Sequence, residues 1–328
     1  MTIKLRSVAL ACNMVAALTS GWSAWGASSP ATPPAFAYPL NPEGSPKPPA
    51  DKGRLLHTPG SRKNFHISDL NDRFRAPDWR PDQHPAMPAI VATGRKPDVF
   101  ACGFCHQPNG QGRSENAALA GLPRDYIIEQ LAEMKAGRRQ SAEPQMRAPA
   151  LMLNVAQQAT PAEVATAAGY FSSLTYRPWI RVVETDRAPR TYVGGVSALF
   201  ASPEGGTEPL GIRIIEIPED ARRVELRDPT ARYVAYVPRG SLARGRRMAE
   251  SGAGKTTACA ACHGGDLKGA GSAPPLAGRS PSYLVRQLFD IQVGARSGPA
   301  VVAMKGVVAP LSLADMVDVT AYAASRKP

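Results

Sequence analysis

The sequence predicts a mainly α protein, with two small helical domains joined by a short β-rich connector. Three observations carry that expectation: an internal repeat, helical spacing of apolar residues in each copy, and β-branched and aromatic runs between the copies. A chain of 328 residues has room for it, since domains of about 50–200 residues bury their own cores. Aromatic residues make up only 6% and prolines number 32, so cores here are short of large side chains.

Residues 1–27 place Lys4 and Arg6 before the apolar run Val8 to Leu18 and small residues around Ala24, Gly26 and Ala27, the order of a secretory signal. That run is shorter than the roughly 20 residues a membrane span needs, and no later run reaches that length. The expected location is periplasmic, with membrane association only through a partner. Cys12, inside the apolar run behind a poor lipidation box, is expected to leave with the signal.

Residues 28–90 read as a proline-rich extended segment; 14 of the prolines fall between 28 and 97, in stretches such as Pro46-Lys47-Pro48-Pro49. Such a stretch is neither helix nor central strand. It is expected to be disordered at first, then extended over the first helical domain, with Trp79 as an anchor.

The repeat defines the helical domains, 91–176 and 241–328. Cys102 and Cys259, His106 and His263, Leu119-Ala120-Gly121 and Leu276-Ala277-Gly278, Tyr126 and Tyr283, Gln130-Leu131 and Gln287-Leu288, and Gly137 and Gly294 all stand 157 positions apart. Beyond Arg139 and Arg296 the offset falls to 152, so the first copy carries five extra residues before its last helix. That helix starts at Thr160-Pro161-Ala162-Glu163 or Ser312-Leu313-Ala314-Asp315, a hydroxyl cap with an acid three positions on. Middle helices are expected from Pro123 to Ala136 and from Pro281 to Ile291. Each copy thus reads as a short helix bearing the cysteines, a loop, a middle helix, a loop and a closing helix. Between the copies, residues 177–240 predict three or four short strands, at Ile212 to Ile217, Val224 to Leu226 and Tyr233 to Val237.

Outside the signal the chain has four cysteines, in "CGFCH" (Cys102, Cys105, His106) and "CAACH" (Cys259, Cys262, His263). Cys-x-x-Cys-His is the attachment pattern of c-type haem. On one helical turn the two thiols reach the two vinyl groups of one porphyrin, and the adjacent imidazole points at the iron. A redox disulfide would need alternating strands and helices, and a four-cysteine zinc site brings its pairs far closer than 157 residues. Two covalently bound haem c groups are the expected cofactors. Nearby, "GAGKT" suggests a phosphate-binding loop, but Ala249 stands where the first glycine is required, and Ser241 to Glu250 is helix-like rather than a strand. No nucleotide is expected.

With its repeated CxxCH, Leu-Ala-Gly, Tyr…Gln-Leu and Gly-x-Arg features, the chain resembles the tandem di-haem class I cytochromes c, and is similar to cytochrome c4 over about 91–176 and 241–328. The leader and the connector fall outside that resemblance. The resemblance implies a methionine as the sixth iron ligand on the loop before the closing helix. Met304, eight residues before Ser312, suits the second copy, with Met316 read as core. In the first copy Met152, eight residues before Thr160, is preferred; Met146 fits only if the insertion follows the ligand, and Met134 reads as packing. The resemblance also implies a backbone carbonyl that holds each histidine, here Pro275 and Ala118. A His/Met-ligated iron has no free position, so electron transfer between redox partners is expected rather than bond-making chemistry.

The formal charge is +12, or +10 without Lys4 and Arg6, and residues 241–328 hold eleven Lys and Arg against five Asp and Glu. Lys255 is expected on a basic surface beside the second haem, which either steers an acidic partner there or serves solubility alone. Nucleic acid is not expected, since no binding module is recognisable. Two other functions stay open: a cytochrome subunit docked to a periplasmic dehydrogenase through the leader or connector, and a di-haem peroxidase or sulfur-compound oxidase, kept open by the Met146/Met152 choice and by His84.

Overall fold

The computed structural model describes residues 32–43 and 53–328. The expected signal at 1–27 with Cys12, and the Pro46-Lys47-Pro48-Pro49 tract, lie outside the described residues. The described leader is not extended throughout, since it includes the short helices α1 (Ile67–Asn71) and α2 (Ala89–Ala92). Trp79 does anchor it, but onto the connector: the ring is 1% exposed, meets Phe65 edge-on at 4.6 Å, and its indole N–H donates to Leu226 O at 2.7 Å. Residues 32–43 reach instead to the second copy, where Tyr38 Oη donates to Asp290 Oδ1 at 2.7 Å.

The first copy comprises α3 (Cys102–His106), α4 (Arg124–Lys135), α5 (Arg147–Gln158) and α6 (Pro161–Ser173). Helix α6 starts where the sequence places it: Thr160 Oγ1 accepts from Glu163 N, and the Glu163 carboxylate accepts from Thr160 N at 2.8 Å. The segment read as a loop before it is mostly helix, α5. Pro149 is compatible with that helix, because a proline in the first turn removes no intrahelical hydrogen bond.

The connector holds seven strands, more than expected: β1 (Ile180–Glu184), β2 (Arg187–Pro189), β3 (Thr191–Gly194), β4 (Ala198–Ala201), β5 (Thr207–Pro209), β6 (Ile215–Pro218) and, after a helix, β7 (Tyr233–Val237). They form a three-stranded sheet in the order β1-β7-β6 and two separate ladders, β2–β5 and β3–β4. Strand β1 runs parallel to β7 with Ile180 opposite Tyr233, and β6 is antiparallel to β7 with Ile215 opposite Tyr236. Val224 to Leu226, expected as a strand, instead ends the helix α7 (Ala221–Glu225). Asp220 caps it by accepting from Arg223 N, and that local bond outweighs the β preference of one valine.

The second copy repeats the plan with α8 (Ser241–Ser251), α9 (Ala260–His263), α10 (Pro281–Gln292), α11 (Val302–Val308) and α12 (Leu313–Ser325). Its expected loop before the closing helix is again helical, as α11. Helix α8 ends at Gly252, whose left-handed φ of 70° turns the chain into "GAGKT". Helices α8 and α12 cross at Gly245, where a Cβ would collide with Asp318 O. One apolar cluster unites Met248, Val285, Met316 and Val317 of this copy with Ile214, Ala235 and Val237 of the connector, Tyr38 of the leader and Met146 of the first copy. A second cluster, with Val91, Ala120, Ile127, Ala168 and Phe171, is the core of the first copy.

Candidate functional site

Helix α3, and helix α9 with its cap residue Cys259, each put two thiols and an imidazole on a single turn, and all six side chains open onto one cavity of about 1810 Å³. A pocket for one drug-sized ligand takes roughly 300–1,000 Å³, so this chamber has room for more than one such group. The chain turns sharply after each histidine, with φ of 67° at Gln107 and 83° at Gly264. His106 O then accepts from Gly112 N at 3.0 Å, and His263 O from Gly269 N at 2.8 Å.

His106 Nδ1 donates to Ala117 O and His263 Nδ1 to Pro274 O, both at 2.8 Å, which leaves each Nε2 for a metal. These acceptors correct the expected Ala118 and Pro275 by one residue in each copy. The carbonyls expected in that role are taken by another donor: Arg279 donates from Nε to Pro275 O and from Nη1 to Ala118 O. Burial pushes both imidazoles below their ordinary pKa, against the opposing effect of the hydrogen bond, which favours their neutral form.

All four thiols are free. Burial, with a smaller contribution from Cys105, pushes the Cys102 thiol up to about 12, and burial also raises Cys259. A redox-active pair needs the opposite, a depressed thiol. Among the described residues no group of three or more His, Cys, Asp or Glu side chains could hold a metal ion by itself.

Met152, on α5, and Met304, on α11, line the same cavity. Met146 is absent from the cavity wall and wholly buried in the core shared with the second copy. Met316 is buried in that core too, whereas Met134, read as packing, lines the cavity. His84 does not line it: Nε2 lies 3.1 Å from Asp78 Oδ1, and Nδ1 lies 2.9 Å from Pro85 O and 3.0 Å from Tyr170 Oη. The hydrogen bond to Asp78 raises its pKa, against the effect of burial.

A basic cluster that belongs to no recognised motif lies on the cavity wall. Arg139 and Arg296 face each other across an antiparallel bridge and share acceptors, Gln130 Oε1 with both and Gln287 Oε1 with both, at 2.8–3.1 Å. Arg296 Nε is buried with no hydrogen-bond partner. Burial, then the facing Arg139 charge, lowers the Arg296 pKa. One buried cation, a half-buried one facing it and an orphaned donor fit an anionic group at the meeting point of the copies, as the carboxylates of a haem would supply. The signal was in the repeat, because Gln130/Gln287 and Arg139/Arg296 each recur at 157. Asn41 of the leader and Tyr192, Gly195 and Arg227 of the connector also line the chamber, which no repeat could have indicated.

Lys255 is not a free member of a basic surface. Its ammonium lies 2.9 Å from both carboxylate oxygens of Asp315, and Arg279, Arg286 and Arg296 of the same copy are buried.

The cytochrome c family model matches residues 245–327. Among curated proteins, cytochrome c4 of Stutzerimonas stutzeri is 42% identical over 86 residues, which are 24% of this chain and 41% of that protein. Cytochrome c4 of Azotobacter vinelandii is 38% identical over 94 residues, 26% of this chain and 45% of that one. The chain thus spans less than half the length of the curated relatives it matches. Among solved structures, a thiosulfate dehydrogenase (TsdBA) from Marichromatium purpuratum aligns with a TM-score of 0.48 and 26% identity, over 72% of this chain and 39% of that one. Acidithiobacillus ferrooxidans cytochrome c4 aligns with a TM-score of 0.44 and 22% identity, over 68% of this chain and 98% of that one. Residues 245–327 therefore match the cytochrome c family model, and over about a quarter of its length the chain is similar in sequence to cytochromes c4.

Proposed function

We propose that the chain is a di-haem electron-transfer protein of the periplasm, passing single electrons between redox partners. The observation that carries this reading is one continuous cavity lined by both CxxCH motifs and by a methionine from each copy. Cys102 and Cys105, and Cys259 and Cys262, would hold the two groups by thioether bonds. His106 with Met152, and His263 with Met304, would hold the two irons. The bound iron supplies one-electron exchange. The chain's own residues fix each imidazole through Ala117 O and Pro274 O, and surround the site with apolar side chains such as Ile127, Phe171, Leu284 and Val301 that exclude water. Burial of Met146 away from the cavity supports Met152 as the first-copy ligand. The domain limits are those of the repeat: a leader at 28–90, haem domains at 91–176 and 241–328, and a connector at 177–240.

An acidic partner would meet Lys268, Lys305 and Arg247, which are exposed on the second copy. The second reading is a dedicated cytochrome subunit, or a di-haem peroxidase or sulfur-compound oxidase. It is favoured by the leader and connector residues that wall the chamber, which a simple carrier does not need. A spectroscopic redox titration with haem quantification and carbon monoxide binding separates the two. Two low-spin haems that bind no carbon monoxide support the carrier, and rapid stoichiometric binding at one haem supports the oxidase.

A further inference from the structure

Arg279 occupies a position that the repeat does not duplicate, since its counterpart 157 residues earlier is Leu122. It is 5% exposed and lines the cavity. Its guanidinium spans the two copies. Nε donates to Pro275 O at 2.8 Å in its own copy, while Nη1 donates to Ala118 O at 2.7 Å and Nη2 to Ala120 O at 3.2 Å in the other. Pro275 directly follows Pro274, whose carbonyl holds His263, and Ala118 directly follows Ala117, whose carbonyl holds His106. One planar fork therefore ties together the two loops that orient the two histidines.

The fork is itself held in place. It lies over the Tyr176 ring at 4.4 Å; Tyr176 Oη donates to Gly278 O at 2.8 Å and accepts from Trp179 Nε1 at 2.6 Å. All three acceptors of Arg279 are backbone carbonyls, and no carboxylate forms an ion pair with it among the described residues. A buried cation without a counter-charge acts over long range, because little solvent screens it. It favours whichever neighbouring state carries the extra electron. A lysine could not serve both loops in this way, because its single ammonium lacks the fixed planar fork.

We propose that Arg279 is a positioning residue shared by both haem sites: it fixes both histidine-acceptor loops and sets one permanent cation beside them, so that the two reduction potentials are governed together. This rests on the di-haem reading above. The test uses the full-length holoprotein with Arg279→Gln and Arg279→Lys. In Arg279→Gln, both midpoint potentials fall in a spectroelectrochemical titration while haem content and low-spin spectra are retained. A fall at the second haem alone, or at neither, overturns the proposal. Arg279→Lys keeps the charge and loses the fork. It restores both potentials, yet shifts the hyperfine-shifted haem-methyl NMR signals of both ferric haems. Potentials as low as those of the glutamine variant, or methyl shifts confined to one haem, overturn the proposal, and this variant decides the matter if Arg279→Gln does not fold. Wild-type protein that binds a single haem would refute the di-haem reading instead, which keeps the two failures apart.

Discussion

Met146 and Met152 are chemically identical donors a few residues apart, and their surroundings give them opposite duties. Met152 lines the cavity, and Met146 is sealed in a hydrophobic core with no exposed surface. Met152→Ala is expected to turn the first haem high-spin in the ferric state, lower its potential and open it to carbon monoxide, leaving the second haem unchanged. Met146→Ala should leave both spectra intact and cost about 2–5 kcal/mol of stability, as deletion of a buried methionine does, read as a lower denaturant midpoint. The reverse pattern would exchange the two roles. At this scale the sequence was informative wherever chemistry is local. Cys102, Cys105 and His106 declare themselves by spacing alone, and counting back from Thr160 favoured Met152. The histidine acceptors were placed one residue late, because carbonyl direction depends on loop geometry and leaves no mark on residue type.

Among the elements, the pair α8 and α12 has no full counterpart in the first copy, where the four-residue α2 stands in place of the longer α8. The close crossing depends on Gly245, whose missing Cβ makes room for Asp318 O. Gly245→Ala should force the helices apart and cost about 1–3 kcal/mol by overpacking, measured as a loss of denaturant midpoint with little change in the first haem's spectrum. The closing helices are set by their caps, and Thr160→Ala or Ser312→Ala should each cost about 1 kcal/mol. The first cap is also sensitive to acid. The hydrogen bond from Arg95, then those from Thr160, hold the Glu163 carboxyl below its ordinary value of 4.5. Because the folded state binds that proton less tightly, the contribution is complete above about pH 4.5 and is lost as pH falls through the lower folded value. A pH series of denaturant midpoints on wild type and Glu163→Gln checks this: the variant should lose the part of the acid slope due to this group. Caps and periodicity made α4, α6, α10 and α12 legible. Helix α5 was missed because the resemblance implies a methionine-bearing loop before the closing helix, and α7 because Val224 suggests a strand unless Asp220 is recognised as a cap.

For the whole molecule, the two copies are not beads on a string, since residues 32–328 form one compact unit. Met146 of the first copy, Val237 of the connector and Tyr38 of the leader all complete the core of the second copy. Equilibrium unfolding of the holoprotein is therefore expected to show a single transition, with the spectra of both haems changing together; two separated transitions would contradict the shared core. None of this sharing was legible in the sequence, because a repeat reports what the copies have in common and not what each lends the other. The leader carries a further consequence, for the order of events in the life of the chain. Asn41 walls the chamber, but its neighbour Tyr38 docks on Asp290, 252 positions later, and Ala37 O accepts from Arg286, 249 positions later. An early segment thus waits for a late one. Asn41 itself is held by the connector, donating to Gly195 O and accepting from Ser197 N, so the leader is pinned at that wall twice, by the middle of the chain and by its far end.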